Sequence, residues 1–165
     1  MQFRTGFKGA WIVPVAVALD RITKAWAVET LAKPTLMNYV QSVPAIPGVI
    51  NWHYAENTGA AFSLLNGATW LLSVLTALLI AAICGYLIVL KKGRGPVRPG
   101  LWMFVAGGAS NLFDRLTYGF VVDFIEFDFV NFAIFNVADV FICVGAGLVL
   151  LGLGLEERRK EEQNG

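Results

Sequence analysis

The sequence is poor in charge and in the residues on which most hydrolases and metal sites depend. Charged residues make up 15% of the 165 positions, hydrophobic residues make up 56%, and His53 is the single histidine. A chain this apolar is neither an ordinary soluble domain nor a disordered one. Its formal net charge of +1 provides no basic field, so we predict no nucleic-acid partner.

Several catalytic motifs are missing as well. One histidine cannot complete an H-E-x-x-H zinc helix, no serine–histidine–aspartate set is recognisable, and there is no Walker loop. Cys84 and Cys143 lie inside apolar runs without metal-ligand spacing to each other or to His53, and we interpret them as packing residues. We therefore predict neither a metal nor another cofactor, and carboxylates are the groups left for any hydrolytic chemistry.

Long apolar runs, by contrast, are frequent. Residues 68–90 carry no charge and are long enough to cross a hydrocarbon core of ~30 Å at ~1.5 Å per residue. The first run must continue through Asp20 and Lys24 to span, and the lack of a small-residue cleavage pattern favours a retained helix over a signal peptide. The sequence predicts one α-helical membrane-embedded domain, residues 1–165, with spans at about 9–30, 68–90, 100–118 and 136–155.

The basic residues indicate the orientation of these spans. Lysines and arginines precede the first span, join the second to the third, and follow the fourth, so the positive-inside rule places both termini in the cytoplasm. The connections 31–67 and 119–135 then face outward. β-prone residues before a turn at 57–59 predict short strands, which would form a small β-rich subdomain on the outer face.

Ionisable residues within spans are costly unless they are paired, so each one is a candidate for function. Asp20 and Lys24 are four positions apart and share a helical face, which predicts either an internal salt bridge or a grip on substrate or a lipid headgroup. In the third span, Asn111, Asp114 and Arg115 form a polar face. That face either holds helices together or binds a peptide carbonyl or a phosphate.

Two aspartates approach the outer boundary from adjoining segments. The third span ends near residue 118 and the fourth begins near Asn136, so Asp123 and Asp139 are expected at the same depth. Asp139 alone is also explained by a carboxylate that complements the helix dipole. Two carboxylates in a low dielectric share one proton, and such a pair can activate water while binding a scissile carbonyl, as aspartic proteases do. The pair therefore predicts hydrolysis without a metal or a covalent intermediate.

Five short motifs occur in order along the chain: "DRITK" at 20–24, "NTGAAF" at 57–62, "GGASNLFDR" at 107–115, "VVDF" at 121–124 and "FNVAD" at 135–139. Together they resemble the bacterial lipoprotein signal peptidase family, signal peptidase II. Relative to that pattern, Arg21 stands where many relatives have glutamine and adds a charge that the first span does not compensate. Ser110 stands where glycine is common, which is a small change.

The resemblance implies an intramembrane aspartyl endopeptidase of the bacterial inner membrane, with its active site near the periplasmic face. It would cut diacylglyceryl-modified prolipoproteins just before the lipidated cysteine, with Asp123 and Asp139 as the catalytic pair. It also implies contact with membrane lipid and inhibition by cyclic peptides such as globomycin. The Phe-rich segment 124–135 would cover the cleavage site as a movable lid. The motif match adds, as polar lining or support, Asp20, Lys24, Asn57, Gly59, Asn111, Asp114, Arg115 and Asn136.

Two other classes compete with this interpretation. A proton-coupled carrier would also use intramembrane acids, but the sequence has no inverted repeat or broken helix pair, and its acids cluster at one membrane face. A non-enzymatic assembly subunit would tolerate asparagine at Asp123 and Asp139. Nothing in the sequence suggests a symmetric interface, so we expect a monomer.

Overall fold

The computed structural model describes residues 8–32, 42–59, 68–90 and 95–164. Parts of the predicted basic segments and of the outer connection lie outside these residues, including Arg4, 33–41, 60–67 and 91–94. Within the described ranges, the helices coincide with the four predicted spans, and the last helix continues past the predicted end at residue 155. The helices are α1 (Ile12–Leu31), α2 (Thr69–Val89), α3 (Val97–Tyr118) and α4 (Val137–Asn164), and the strands are β1 (Val43–Ile46), β2 (Ile50–Asn57) and β3 (Val121–Phe127).

Two of these helices are long and apolar enough to cross a membrane. They are Thr69–Val89, whose most apolar window has a mean hydropathy of 2.5, and Val137–Gln163, where the value is 2.2. Within the described residues, α1 and α3 contain no stretch of that length that is both as apolar and as poor in charge. The helical class with a small sheet is therefore confirmed, whereas four membrane crossings stay a prediction.

α3 is the central helix, because it packs against α1, α2 and α4. Glycines allow its close approach to α4. A Cβ added at Gly100 would lie 2.6 Å from the carbonyl oxygen of Gly145, and one added at Gly145 would lie 2.6 Å from that of Gly100. A Cβ at Gly107 would overlap the carbonyl oxygen of Ala138. The small residues thus bring the polar part of α3 against the first turn of α4.

The strands form one antiparallel sheet in the order β1-β2-β3. A tight turn joins β1 to β2, with Gly48 at φ 75° and the amide of Val49 donating to the Ile46 carbonyl at 2.9 Å. The sequence predicted strands around residues 50–57 but missed β3, which lies in the segment after α3. The missed strand matters because its buried first half, 121–124, carries Asp123 into the molecule.

Aromatic rings fasten the sheet to α1. Trp26 of α1 contacts Trp52 of β2 edge-on, with ring centroids 5.3 Å apart, and contacts Phe124 of β3 at 6.1 Å. Offset and edge-on ring pairs add stabilisation beyond the area they bury. These contacts hold β3, and with it Asp123, against the helices.

Candidate active site

Asp123 and Asp139 line one cavity of about 410 Å³. Asp123 comes from β3 and Asp139 from the first turn of α4. The structure thus brings together the two carboxylates that the sequence predicted as a pair. Polar lining comes from Asn57, Asn111 and Arg115, and the apolar lining is Val121, Phe127, Phe132, Ala133, Ile134, Phe135, Val140, Ile142 and Cys143.

Asp123 is only 2% exposed and is held by two amides. Its Oδ1 accepts a hydrogen bond from Nδ2 of Asn136 at 2.6 Å, and its Oδ2 accepts one from Nδ2 of Asn57 at 2.9 Å. Burial, and then the nearby charge of Asp139, raise the pKa of Asp123 to about 7, although the two amide bonds act in the opposite direction. This carboxyl can therefore exchange a proton near neutral pH.

Asp139 is held by a reciprocal cap at the start of α4. Its Oδ2 accepts from the backbone amide of Asn136 at 3.1 Å, while Oδ1 of Asn136 accepts from the backbone amide of Asp139 at 3.0 Å. This is the arrangement of a capping box, with asparagine at the cap and aspartate three positions later. Asp139 thus lies in the first turn of α4, where a carboxylate complements the helix dipole. It also faces the cavity, where its Oδ1 accepts a hydrogen bond from Nδ2 of Asn111 at 2.8 Å.

Asn136 connects the two carboxylates. Besides its bonds to Asp123 and Asp139, its Nδ2 lies 3.1 Å from Oδ1 of Asn111 and 3.3 Å from the carbonyl oxygen of Val122. The side chain is fully buried. One amide thus fixes the spacing between the strand that carries Asp123 and the helix that carries Asp139.

Asp20 and Lys24 form the internal salt bridge that their spacing predicted, at 2.9 Å. Lys24 also pairs with Asp114 of α3 at 2.7 Å, and Asp20 accepts from the backbone amide of Ala138 at 2.9 Å. Asp114 in turn accepts from the amide of Val122 at 3.3 Å. The two acids tie α1, α3, β3 and α4 together.

Two residues at which the sequence departs from the family pattern are partners in this cluster. The prediction that Arg21 is uncompensated is wrong, because its guanidinium pairs with Asp20 at 2.9 Å and also with Asp114. Ser110, which the sequence indicated as a small change, donates to Oδ2 of Asp20 at 2.6 Å. The contacts of Arg21 with Asp114 and of Ser110 with Asp20 were not visible from spacing along one helix, since their partners lie on different helices.

The predicted turn at 57–59 is present and places Gly59 beside Arg115. Oδ1 of Asn57 accepts from the backbone amide of Gly59 at 2.9 Å, and Nη2 of Arg115 reaches the Gly59 carbonyl at 3.4 Å. Nε of Arg115 is buried without a hydrogen-bond partner among the described residues. The described part of the chain contains no group of three histidine, cysteine, aspartate or glutamate side chains suited to a metal ion.

Comparison with known families identifies the origin of this arrangement. A family model described as "Signal peptidase (SPase) II" matches residues 12–154. The lipoprotein signal peptidase of Streptococcus agalactiae is 34% identical, covering 93% of this chain and 96% of that protein. Those of Streptococcus pyogenes serotype M1 and Streptococcus thermophilus are 39% and 38% identical and cover 86% and 88% of this chain, and 89% and 94% of theirs.

Solved structures agree with the sequence comparison. One, a bacterial membrane enzyme determined at 2.3 Å, superposes with a TM-score of 0.80 at 27% identity, covering 93% of this chain and 91% of that one. A second, a bacterial membrane enzyme at 1.9 Å, gives 0.73 at 27% identity, covering 88% and 92%. The residues matched by the family model, 12–154, include the aspartates of the cavity and of the ion cluster.

Proposed function

This chain belongs to the signal peptidase II family, and from that premise we propose that Asp123 and Asp139 are the catalytic pair with which it cuts prolipoproteins. Members of the family are aspartic peptidases of bacterial membranes that remove signal peptides from prolipoproteins. The finer proposal is that the cut falls just before a cysteine that already carries diacylglycerol.

The observation that supports this assignment is that the aspartates of the cavity and those of the ion cluster have different kinds of hydrogen-bond donors. Asp20 and Asp114 are ion-paired with Lys24 and Arg21. Asp123 and Asp139 accept their described hydrogen bonds from amides and face a common cavity. Ion-paired carboxylates are poor proton carriers, whereas a pair held only by neutral donors can share and exchange a proton.

The reaction follows from one protonated and one ionised carboxyl. Asp123, with its pKa of about 7, holds the shared proton, and Asp139 is the base. Asp139 takes a proton from water as the water oxygen bonds to the scissile carbonyl carbon, and Asp123 passes its proton to the carbonyl oxygen. Asp139 then gives its proton to the amide nitrogen as the C–N bond breaks, and Asp123 takes a proton back from one hydroxyl of the tetrahedral intermediate, which leaves a carboxylic acid, a free amine and the starting form of the pair.

The lining of the cavity suits a lipidated, apolar substrate. Its walls are mainly aromatic and aliphatic, and Phe127, Phe132 and Phe135 pack against one another with ring centroids 5.1–6.2 Å apart. The buried Nε–H of Arg115 has no hydrogen-bond partner among the described residues, so it is available to donate to a carbonyl of the substrate peptide. The Phe-rich segment 124–135 would act as the lid over this cavity.

The membrane arrangement is part of the same proposal. α1 carries four charged residues. Asp20, Arg21 and Lys24 are paired inside the protein, so they do not oppose a crossing by α1. Glu29 lies in the last turn of the helix. Asp114 of α3 is fully buried in the same cluster. We therefore propose four crossings, with both termini cytoplasmic, outer segments 31–67 and 119–135, and the cavity near the periplasmic face. We also propose that the protein is a monomer in contact with lipid and that globomycin inhibits it by binding in this cavity.

A gel-shift cleavage assay in detergent tests the catalytic pair. The substrate is a diacylglyceryl-modified prolipoprotein, and the enzymes are wild type, Asp123→Asn and Asp139→Asn. Asparagine keeps the shape but cannot exchange a proton, so both variants should lose cleavage by at least about 10³-fold while remaining folded.

Asp114→Asn is the matched control, because it changes a buried aspartate of the ion cluster. It should melt at a lower temperature and still cleave. If both pair variants cleave like wild type, or if wild type does not cleave the lipidated substrate, the assignment of the pair is wrong, and the carrier and assembly interpretations regain weight.

A further inference from the structure

Each of the three N–H donors of the buried Lys24 ammonium has an acceptor. An ammonium group has three N–H donors and no acceptor. In this chain Nζ of Lys24 lies 2.9 Å from Oδ2 of Asp20, 2.7 Å from Oδ2 of Asp114 and 2.9 Å from Oδ1 of Asn111, with the side chain 3% exposed. Two of the three contacts neutralise its charge, and the third reaches a neutral amide that leads toward the cavity.

That third contact fixes the orientation of the Asn111 amide. Because the ammonium can only donate, the atom of Asn111 that faces it must be the oxygen, and Asn136 donates to the same oxygen at 3.1 Å. Nδ2 of Asn111 is then directed at Oδ1 of Asp139, at 2.8 Å. The reversed amide would place N–H groups against the ammonium and an oxygen against a carboxylate, and both contacts are repulsive.

We propose that Lys24 is a positioning residue for the aspartate pair and acts on Asp139 through the amide of Asn111. The inference rests on the proposed function. Only two N–H groups are described on Asp139, one from Asn111 and one from the backbone of Asn136. Without the ammonium, Asn111 loses the charged one of the two donors to its oxygen and keeps only the longer bond from Asn136, so the donor to Oδ1 of Asp139 is less firmly fixed.

Arg21 provides an internal comparison on the same helix. It pairs with Asp20 and Asp114, the same two carboxylates that Lys24 binds. Its guanidinium also lies 5.2 Å above the ring of Phe113. Its described bonds end at the two carboxylates and do not extend to Asn111, so removing it changes the charge of the cluster without releasing the amide.

The test compares Lys24→Met with Arg21→Met in the full-length protein in detergent, with kcat, KM and Tm measured for each on the lipidated prolipoprotein. Lys24→Met should lower kcat about 10²-fold with little change in KM, because misplacement of a reacting group by about 1 Å has effects of this size. Arg21→Met should lower Tm and leave kcat near wild type. In an Asn111→Ala background, Lys24→Met should have little further effect on kcat.

Several results would overturn the inference. If both methionine variants lower Tm and keep kcat, Lys24 has only a structural role. Additive losses in Lys24→Met and Asn111→Ala would show that Lys24 does not act through Asn111. If Lys24→Met fails to fold, Lys24→Gln replaces it, since glutamine is polar but one bond too short to reach Asn111, and the expected loss of kcat is the same.

Parallel preparations of Asp123→Asn and Asp139→Asn separate this inference from the function it rests on. If they are inactive and Lys24→Met keeps its kcat, only the positioning role is wrong. If they cleave like wild type, the catalytic pair is wrong, and the role of Lys24 is refuted with it.

Discussion

α2 and α3 pack side by side and have opposite character. α2 contains no charged residue, and only Ser73 and Leu87 among its residues are buried. α3 carries two arginines, an aspartate, an asparagine and three glycines, and about half of its length is buried. In this protein the apolar helix is the exposed one and the helix with polar residues is the buried one. Lipid tails are as apolar as the helix surfaces, so helices in a bilayer associate through close packing and hydrogen bonds.

The hydroxyl groups of the two helices show the same contrast. On α2, Ser73 donates to the Thr69 carbonyl at 2.8 Å and Thr76 to the Leu72 carbonyl at 2.7 Å, both within the helix. On α3, Ser110 donates across to Asp20 of α1. Inside α2 the hydroxyls of Ser73 and Thr76 are thus satisfied within the helix, whereas the hydroxyl of Ser110 on α3 joins two helices.

The largest difference in the free energy of unfolding is expected between alanine substitutions at two glycines, one on each helix. Gly107→Ala on α3 should destabilise the protein by about 3 kcal/mol, because the added methyl meets the Ala138 carbonyl and Cγ1 of Ile142 at 2.7 Å, and a backbone oxygen cannot move aside. Gly85→Ala on α2 meets nothing within 4 Å and should be neutral or stabilising by up to about 1 kcal/mol. Unfolding in detergent measures both, and equal effects would contradict the contrast between the helices.

A smaller difference in the free energy of unfolding is expected between alanine substitutions at two buried serines. Ser110→Ala removes a bond to a charged group and should cost about 1.5 kcal/mol, whereas Ser73→Ala removes a bond within its own helix and should cost under about 1 kcal/mol. The side chains are comparably buried, at 1% and 7% exposure, so burial does not explain the difference. If Ser73→Ala costs as much as Ser110→Ala, bonds across elements have no special weight in this protein.

A further effect, a change in Tm, is expected from pH. The folded pKa of Asp123, about 7, lies above the ordinary value of 3.8, so the folded state binds the proton more tightly. The stabilisation is complete below about pH 4 and is lost as pH rises through 7, with no further loss above it. Wild-type Tm should therefore fall between pH 5 and pH 8 by more than that of Asp123→Asn. Identical pH profiles would exclude Asp123 as the titrating group.

The sequence predicted the parts of this protein that depend on neighbours along the chain. The four helices follow from apolar runs, and the Asp20–Lys24 pair follows from a spacing of four positions. The aspartate pair could be predicted because consecutive helices were expected to run in opposite directions, which brings residues 118 and 136 to the same end of α3 and α4. Each of these steps uses the geometry of one helix or the order of consecutive helices.

Pairing between distant segments was not predictable in this way. β3 has no clean alternation of polar and apolar residues, and it forms a strand because β2, far earlier in the chain, provides its partner. The compensation of Arg21 by Asp114 joins residues 93 positions apart. The packing of α3 against α1 gives Arg21 its second carboxylate, Asp114, and gives Ser110 its partner, Asp20.

The ion cluster has a consequence for biosynthesis. Lys24 and Asp114 are 90 positions apart, so α1 leaves the ribosome well before α3 is made. In that interval the chain offers Asp20, on the same helix, as a partner for Arg21 and Lys24, which leaves one positive charge over. The charge is balanced only when α3 arrives with Asp114. Charge therefore favours the packing of α1 against α3, and the ion cluster of α1 is completed by a residue translated much later.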